Sequence, residues 1–213
     1  MLANPLPEIT LTPNTVHDLG ELTFYHSTDG QAGDRPVRIS LELKDERLTV
    51  NFKCLNNPFS AHNSYTEHNS DLWRQEVFEV FIAAGDSTPS RYLELEINPN
   101  NALFAAWVEN HSGQRPEKLS MLPYPDHGIT HDVLVGDNHW SGSISIPLTL
   151  LGDPVSEQYR LNFYRIALHT APTQPEWECD LNNCDFLCWS ATMSGEQPAF
   201  HRPAYFGTLS VRS

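Results

Sequence analysis

A chain of 213 residues can bury one large β domain, and a net charge of −14 excludes non-specific attachment to nucleic acid or to anionic lipid. Sixteen prolines favour turns over long helices, and no run of about twenty apolar residues is available to span a membrane. The opening Met1-Leu2-Ala3-Asn4-Pro5 lacks the basic start and apolar centre of a signal peptide, so a cytoplasmic location is expected. In that compartment Cys54, Cys179, Cys184 and Cys188 would be reduced thiols.

In chain order, residues 1–35 read as an irregular lead-in with one short strand around Leu22-Thr23-Phe24-Tyr25. Apolar residues then recur at every second position in Val37–Leu43 and again in Leu48–Cys54, a first hairpin across Lys44-Asp45-Glu46. A polar loop rich in Asn, Ser and His runs from Asn56 to Asp71. A second hairpin follows, Val77–Ile82 and Tyr92–Asn98 across Gly85–Ser90, and Ala102–Glu109 continues the meander. After a loop from His111 to Gly128, Ile129–Val135 and Trp140–Ile146 form another hairpin, and Pro147–Gly152 suits one helical turn. Tyr159–Leu168 is a strong strand, Thr170–Asp185 a long loop, and Leu187–Ala191 with Phe206–Val211 close the sheet. About ten short strands with little helix predict an all-β, antiparallel β-sandwich in a single domain.

The hairpin at 72–99 carries four glutamates in strands that otherwise read as sheet interior. Side chains alternate across a strand. If Phe78, Val80, Ile82, Leu93, Leu95 and Ile97 face the core, a second face gathers Val77, Glu79, Phe81, Tyr92, Glu94, Glu96 and Asn98. That face is too apolar for open solvent, so it is either covered by loops or is a concave binding surface. Glu94 and Glu96 lie roughly 7 Å apart along one strand face. Such a spacing suits an inverting glycosidase, but nothing in the sequence singles out one carboxyl as a general acid, and the chain is read as non-catalytic. Of the five tryptophans, Trp107 and Trp140 sit in alternating strands and are expected to pack inside.

The run Leu72-Trp73-x-x-Glu76-x-x-Glu79-Val80-Phe81, followed by Tyr92-Leu93-Glu94-Leu95-Glu96-Ile97-Asn98-Pro99, resembles a core signature of carbohydrate-binding module family 9 and its DOMON-like relatives. The likeness extends through Trp140 to Ile146-Pro147, Leu161-Asn162-Phe163-Tyr164-Arg165, Trp189-Ser190 and Phe200-His201-Arg202-Pro203-x-Tyr205-Phe206-Gly207. It covers roughly residues 35–211. The resemblance implies an immunoglobulin-like (jelly-roll-like) sandwich that binds a mono-, oligo- or polysaccharide. It further implies that Trp73 and Trp189 grip the sugar while Glu79, Asn98 and Arg165 take its hydroxyls. A glutamate–arginine ion pair between Glu79 and Arg165 is the alternative for those two. Where the family commonly has aspartate before the motif's valine, this chain has Glu76.

The resemblance requires no cofactor. It allows structural calcium, for which Asp180-Leu181-Asn182-Asn183 and Asp185 offer oxygens. DOMON-like relatives also include haem carriers, for which Met121 and Met193 are the available sulfur ligands. His62 and His68, with Tyr65 and Glu67 between them, are read as solvated loop residues. Cys179, Cys184 and Cys188 miss the paired spacing of structural zinc. An interaction module that kept the fold without the sugar site is the remaining rival.

Overall fold

A computed structural model describes residues 5–152, 154–174 and 176–212. Among them the chain forms β1 (Glu8–Leu11), β2 (Val16–Leu22), β3 (Tyr25–His26), β4 (Val37–Lys44), β5 (Arg47–Leu55), β6 (Val77–Ala84), β7 (Arg91–Ile97) and β8 (Leu103–Glu109). It continues with β9 (Lys118–Met121), β10 (Thr130–Gly136), β11 (His139–Pro147), β12 (Gln158–Leu168), β13 (Cys184–Cys188) and β14 (Gly207–Val211). Helix is confined to 3-10 turns, among them Leu72–Arg74. No helix of the described residues is long and apolar enough to cross a membrane.

The strands form two sheets. One runs β10-β11-β5-β4-β2; the other runs β1-β14-β12-β6-β7-β8-β9, with β13 and β3 attached beside β12. The long strand β12 makes this possible, because its first half pairs with β14 and its second half with β13 along the same edge. The all-β sandwich expected from the alternation is present. It contains more strands than expected, because the segment before Arg35 is not irregular. That segment supplies β1, β2 and β3, and β1 pairs with β14 in parallel. A further short strand, β9, lies inside the loop expected from His111 to Gly128.

The core between the sheets holds Phe78, Val80, Ile82, Leu93, Leu95 and Ile97, as the alternation requires. Trp140 is buried there with its ring edge-on to Phe52. Trp107 is only partly buried and carries the Arg91 guanidinium 3.7 Å over its ring. The second face of the β6–β7 hairpin is covered as well. Val77, Phe81, Tyr92, Tyr164, Trp177, Phe200 and Phe206 make a separate apolar cluster outside the larger sheet. Three irregular segments supply the cover: residues 56–74, the loop carrying Trp177, and the stretch from 192 to 206. At about 25 cal/mol per Å² of apolar surface removed from water, a buried ring on this face contributes about as much as one in the main core. Burial on both faces explains why β6 and β7 read as unbroken apolar runs interrupted only by glutamate.

Candidate functional site

The cover over the second face is incomplete. It leaves an open cavity of about 470 Å³ whose walls include Trp73, Phe104, Leu119, Ile166, Phe186 and Phe200. Glu79, Glu94, Glu96 and His201 also line it. Pairing places the three carboxyls together: Glu79 lies directly opposite Glu96, and Glu94 lies opposite Phe81 two residues before Glu96 on the same face. Phe104, the partner of Glu96 on β8, joins the same face.

The carboxyls are deeply placed, with Glu79 2% exposed, Glu94 4% and Glu96 1%. Burial raises the pKa of all three. For Glu79 the nearby Glu94 adds to the rise, and for Glu96 both Glu79 and Glu94 do. Glu94 is pushed up to about 8 by burial. The Glu94 and Glu96 carboxyls are within hydrogen-bonding reach of each other, and the nearby Trp73 backbone N–H partly offsets the rise at Glu96. The 3-10 turn Leu72–Arg74 lies against β7 and puts the Trp73 ring at the cavity wall, 47% exposed, with the Arg74 guanidinium 5.0 Å over it. Arg74 is itself tied to Asp71 at 3.0 Å and to Glu178 at 2.7 Å.

His201 approaches Glu94 with Nε2 3.7 Å from Oε1, while its Nδ1 is 2.8 Å from the Tyr92 hydroxyl. Burial lowers its pKa to about 4, so at neutral pH it is uncharged and does not neutralise the carboxyls. Its ring stacks on Phe81 at 5.1 Å.

Trp73 and Glu79 therefore line one cavity, and the other three residues expected beside them are turned elsewhere. On β12, Tyr164 is the partner of Glu79 and Arg165 the partner of Phe78, so alternation sends Arg165 toward the space between the sheets. There it is fully buried, and Nη1 donates to the carbonyls of Arg35 at 3.1 Å, Pro36 at 3.3 Å and Leu55 at 2.8 Å. It makes no ion pair with Glu79. The carboxylate whose charge it faces is Glu76. Glu76 accepts from Asn57, from Trp140 Nε1 at 2.7 Å and from the Leu168 N–H at 3.2 Å; burial raises its pKa and the charge of Arg165 opposes the rise.

Asn98 is also engaged by the protein through both its amide oxygen and its amide nitrogen. Its Oδ1 accepts from the N–H groups of Asn100 at 3.1 Å and Ala102 at 3.0 Å, and its Nδ2 donates to the Tyr65 carbonyl at 2.8 Å. It closes the β7–β8 turn and ties the 56–71 loop to it. Asn98→Ala is expected to lower stability by about 1–3 kcal/mol through the two orphaned N–H groups, measurable as a drop in the urea midpoint.

Trp189 packs in the main core against Phe163, with ring centroids 5.5 Å apart, and borders a different cleft of about 330 Å³ alongside Tyr25 and Met193. A Cβ at Gly207 would lie 2.5 Å from its ring, so this glycine is fixed by the close approach of Trp189 to β14. Trp73 and Trp189 thus line separate cavities.

Cys179 and Cys184 are not free thiols. They form a disulfide with Cα atoms 5.4 Å apart, a distance set by the turn in which the N–H of Cys184 donates to the Asp180 carbonyl at 2.9 Å. The oxygens considered for calcium are engaged in the same region: Asp180 Oδ1 accepts from the Asn182 N–H, Asn183 Oδ1 from the Asp180 N–H, and Asp185 pairs with Arg35 at 2.8 Å. Among the described residues no group of three or more His, Cys, Asp or Glu is placed to hold a metal ion. His68 stacks on Tyr124 at 3.6 Å and accepts from the Leu103 N–H. Met121 and Met193 are both exposed.

No protein-family model matches the chain. Its fold is shared with a candidate carbohydrate-binding protein from Bacteroides uniformis, at a TM-score of 0.66 and 16% identity, covering 96% of this chain and 99% of that one. It is also shared with a carbohydrate-binding module family 9 from Caldicellulosiruptor kristjanssonii. That module is solved in complex with glucose and with cellotriose; each aligns at a TM-score of 0.55 and 13% identity over 97% of this chain, covering 96% and 95% of the two module chains. A UPF0462 protein C4orf33 homolog of Mus musculus is 24% identical over 177 residues, 83% of this chain and 82% of its own. An extracellular protein of Arthroderma benhamiae is 31% identical over 172 residues, 76% of this chain and 75% of its own. This relative overturns the expected cytoplasmic location, and the Cys179–Cys184 disulfide is of a kind that persists in oxidising compartments. With that identity over most of both sequences, the chain belongs to the family of the Arthroderma benhamiae extracellular protein.

Proposed function

We propose that this is an extracellular, non-catalytic saccharide-binding protein whose site is the cavity between Trp73 and the Glu79–Glu94–Glu96 face. One observation carries the reading: a half-exposed tryptophan and an apolar wall converge on buried carboxyls in an open space of about 470 Å³. That combination suits a ring with one hydrophobic face and a hydroxylated rim, because carboxylates accept from paired hydroxyls and aromatic faces cover C–H groups. The volume lies within the range usual for small-ligand sites. The solved relatives of the same fold that hold glucose and cellotriose support the ligand class.

The proposed contacts are Trp73 for the sugar face and Glu79 with its neighbours for the hydroxyls. Arg165, Asn98 and Trp189 serve the scaffold in this reading. Titration calorimetry with cellotriose tests it. Trp73→Ala is expected to weaken binding by about tenfold, as loss of roughly 1.5 kcal/mol of aromatic contact requires. Trp189→Phe is expected to leave binding unchanged. Equal affinities for wild type and Trp73→Ala would remove this cavity from consideration.

A further inference from the structure

Resting on the saccharide reading, we infer that the cavity selects an amine-bearing saccharide, its ammonium group seated among Glu79, Glu94 and Glu96. The cavity is short of positive charge where it is deepest. Oε2 of Glu94 and Oε2 of Glu96 are buried and receive no donor from the described residues. A neutral sugar site needs donors as well as acceptors, because each ring hydroxyl does both. Of the lining side chains that carry N–H donors, Trp73, Gln114 and Arg115 are exposed, and His201 is engaged by Tyr92.

Among the described residues, Arg115 lines the cavity but is exposed at its rim, and the other cations nearby are committed or misplaced. Arg165 points between the sheets and Arg74 is held by Asp71 and Glu178. His201, 3.7 Å from Glu94, already engages Tyr92 through its other nitrogen. Of the other titratable groups, Asp71 lines the cavity and pairs with Arg74, while burial pushes up the pKa values of Tyr92, Tyr164 and Cys188, which are neutral at pH 7. An ammonium group offers three N–H donors and one positive charge, which matches three carboxyls that, once ionised, have no buried counter-ion. Phe104, Phe186 and Phe200 in the wall add aromatic surface, which favours a cation further.

Seating a cation there favours the ionised form of the carboxyls, so binding must expel protons that the empty site holds. The test compares three trisaccharides by titration calorimetry at pH 6.5: cellotriose, the β-1,4-linked glucosamine trisaccharide, and its N-acetylated form. Each titration is run in two buffers of different ionisation heat. The amino trisaccharide is expected to bind about tenfold tighter than the other two, with net proton release to buffer that cellotriose lacks. In Glu94→Gln and in Glu96→Gln the affinity ratio between amino trisaccharide and cellotriose is expected to collapse toward one. A ratio that survives both substitutions would trace the preference to the surface charge and overturn the inference. Cellotriose binding as tightly as the amino trisaccharide, without proton release from either, would overturn it while leaving the saccharide reading intact. Failure of all three to bind would overturn both.

Discussion

Arg165→Ala is expected to remove about 3–5 kcal/mol of stability, the usual cost of breaking a buried charge arrangement by deleting one member. The guanidinium bridges three carbonyls from Arg35, Pro36 and Leu55, at the end where β4 and β5 meet β12. Its loss also strands Glu76, whose pKa burial already raises and which Arg165 holds back. Set against a total of about 5–15 kcal/mol for an ordinary domain, the loss is a large fraction. Arg165→Met keeps much of the volume without a buried charge and is expected to cost less, in keeping with the near-neutral replacement of many buried ion pairs by apolar residues. Guanidinium denaturation measures both. Cellotriose affinity of the folded fraction is expected to stay at the wild-type value, because Arg165 faces away from the cavity. Binding lost with stability retained would return Arg165 to the ligand.

The same residue shows what the sequence could and could not convey. The face to which each residue of β6 and β7 belongs follows from parity within one strand, and parity is local. Phe78, Val80 and Ile82 on one side, with Val77, Glu79 and Phe81 on the other, were therefore legible. Whether Arg165 shares a face with Glu79 depends on the register between β12 and β6, strands separated by about eighty residues. A slip of one residue moves every side chain to the other face. With Tyr164 opposite Glu79 the arginine falls on the core side. Trp189 poses the same problem in another form, because it lies just past β13 in irregular chain, where alternation says nothing. His201 stood in a motif that marked the fold, yet its role at the cavity rests on the 192–206 segment folding back over β6 and β7. Phe104 was more accessible, since the meander from β7 to β8 sets it opposite Glu96. The Cys179–Cys184 bond escaped because a cytoplasmic reading excluded it in advance, although a five-residue separation across an Asp-Leu-Asn-Asn turn permits it.

The protein is expected to lose stability as pH rises from 6.5 to 8, above the range in which its buried histidines oppose the trend, opposite to the usual behaviour of salt-bridged carboxylates. Burial raises the pKa values of Glu79, Glu94 and Glu96 in the folded state, while in the unfolded chain they titrate near 4.5. Between those values the folded state holds more protons than the unfolded one, so the stability gradient with pH is negative. The contribution is fully present below about pH 4.5 and is lost as pH rises through the folded values, about 8 for Glu94. Each unit by which a folded pKa exceeds the unfolded one is worth about 1.4 kcal/mol. Glu94→Gln keeps the shape and cannot ionise, so the variant is expected to lose part of the slope and to exceed wild type in stability at pH 8 by about 1–3 kcal/mol. Urea melts at pH 5, 6.5 and 8 for the two proteins measure this directly. Parallel pH profiles would mean that Glu94 titrates normally and that its carboxyl is better solvated than the cavity allows. An amine-bearing ligand that supplies the missing charge should abolish the decline in wild type. Ligand selection and alkaline lability would then be two consequences of one cluster, three carboxyls placed by strand pairing in an apolar cavity whose lining guanidinium, Arg115, stays exposed at the rim.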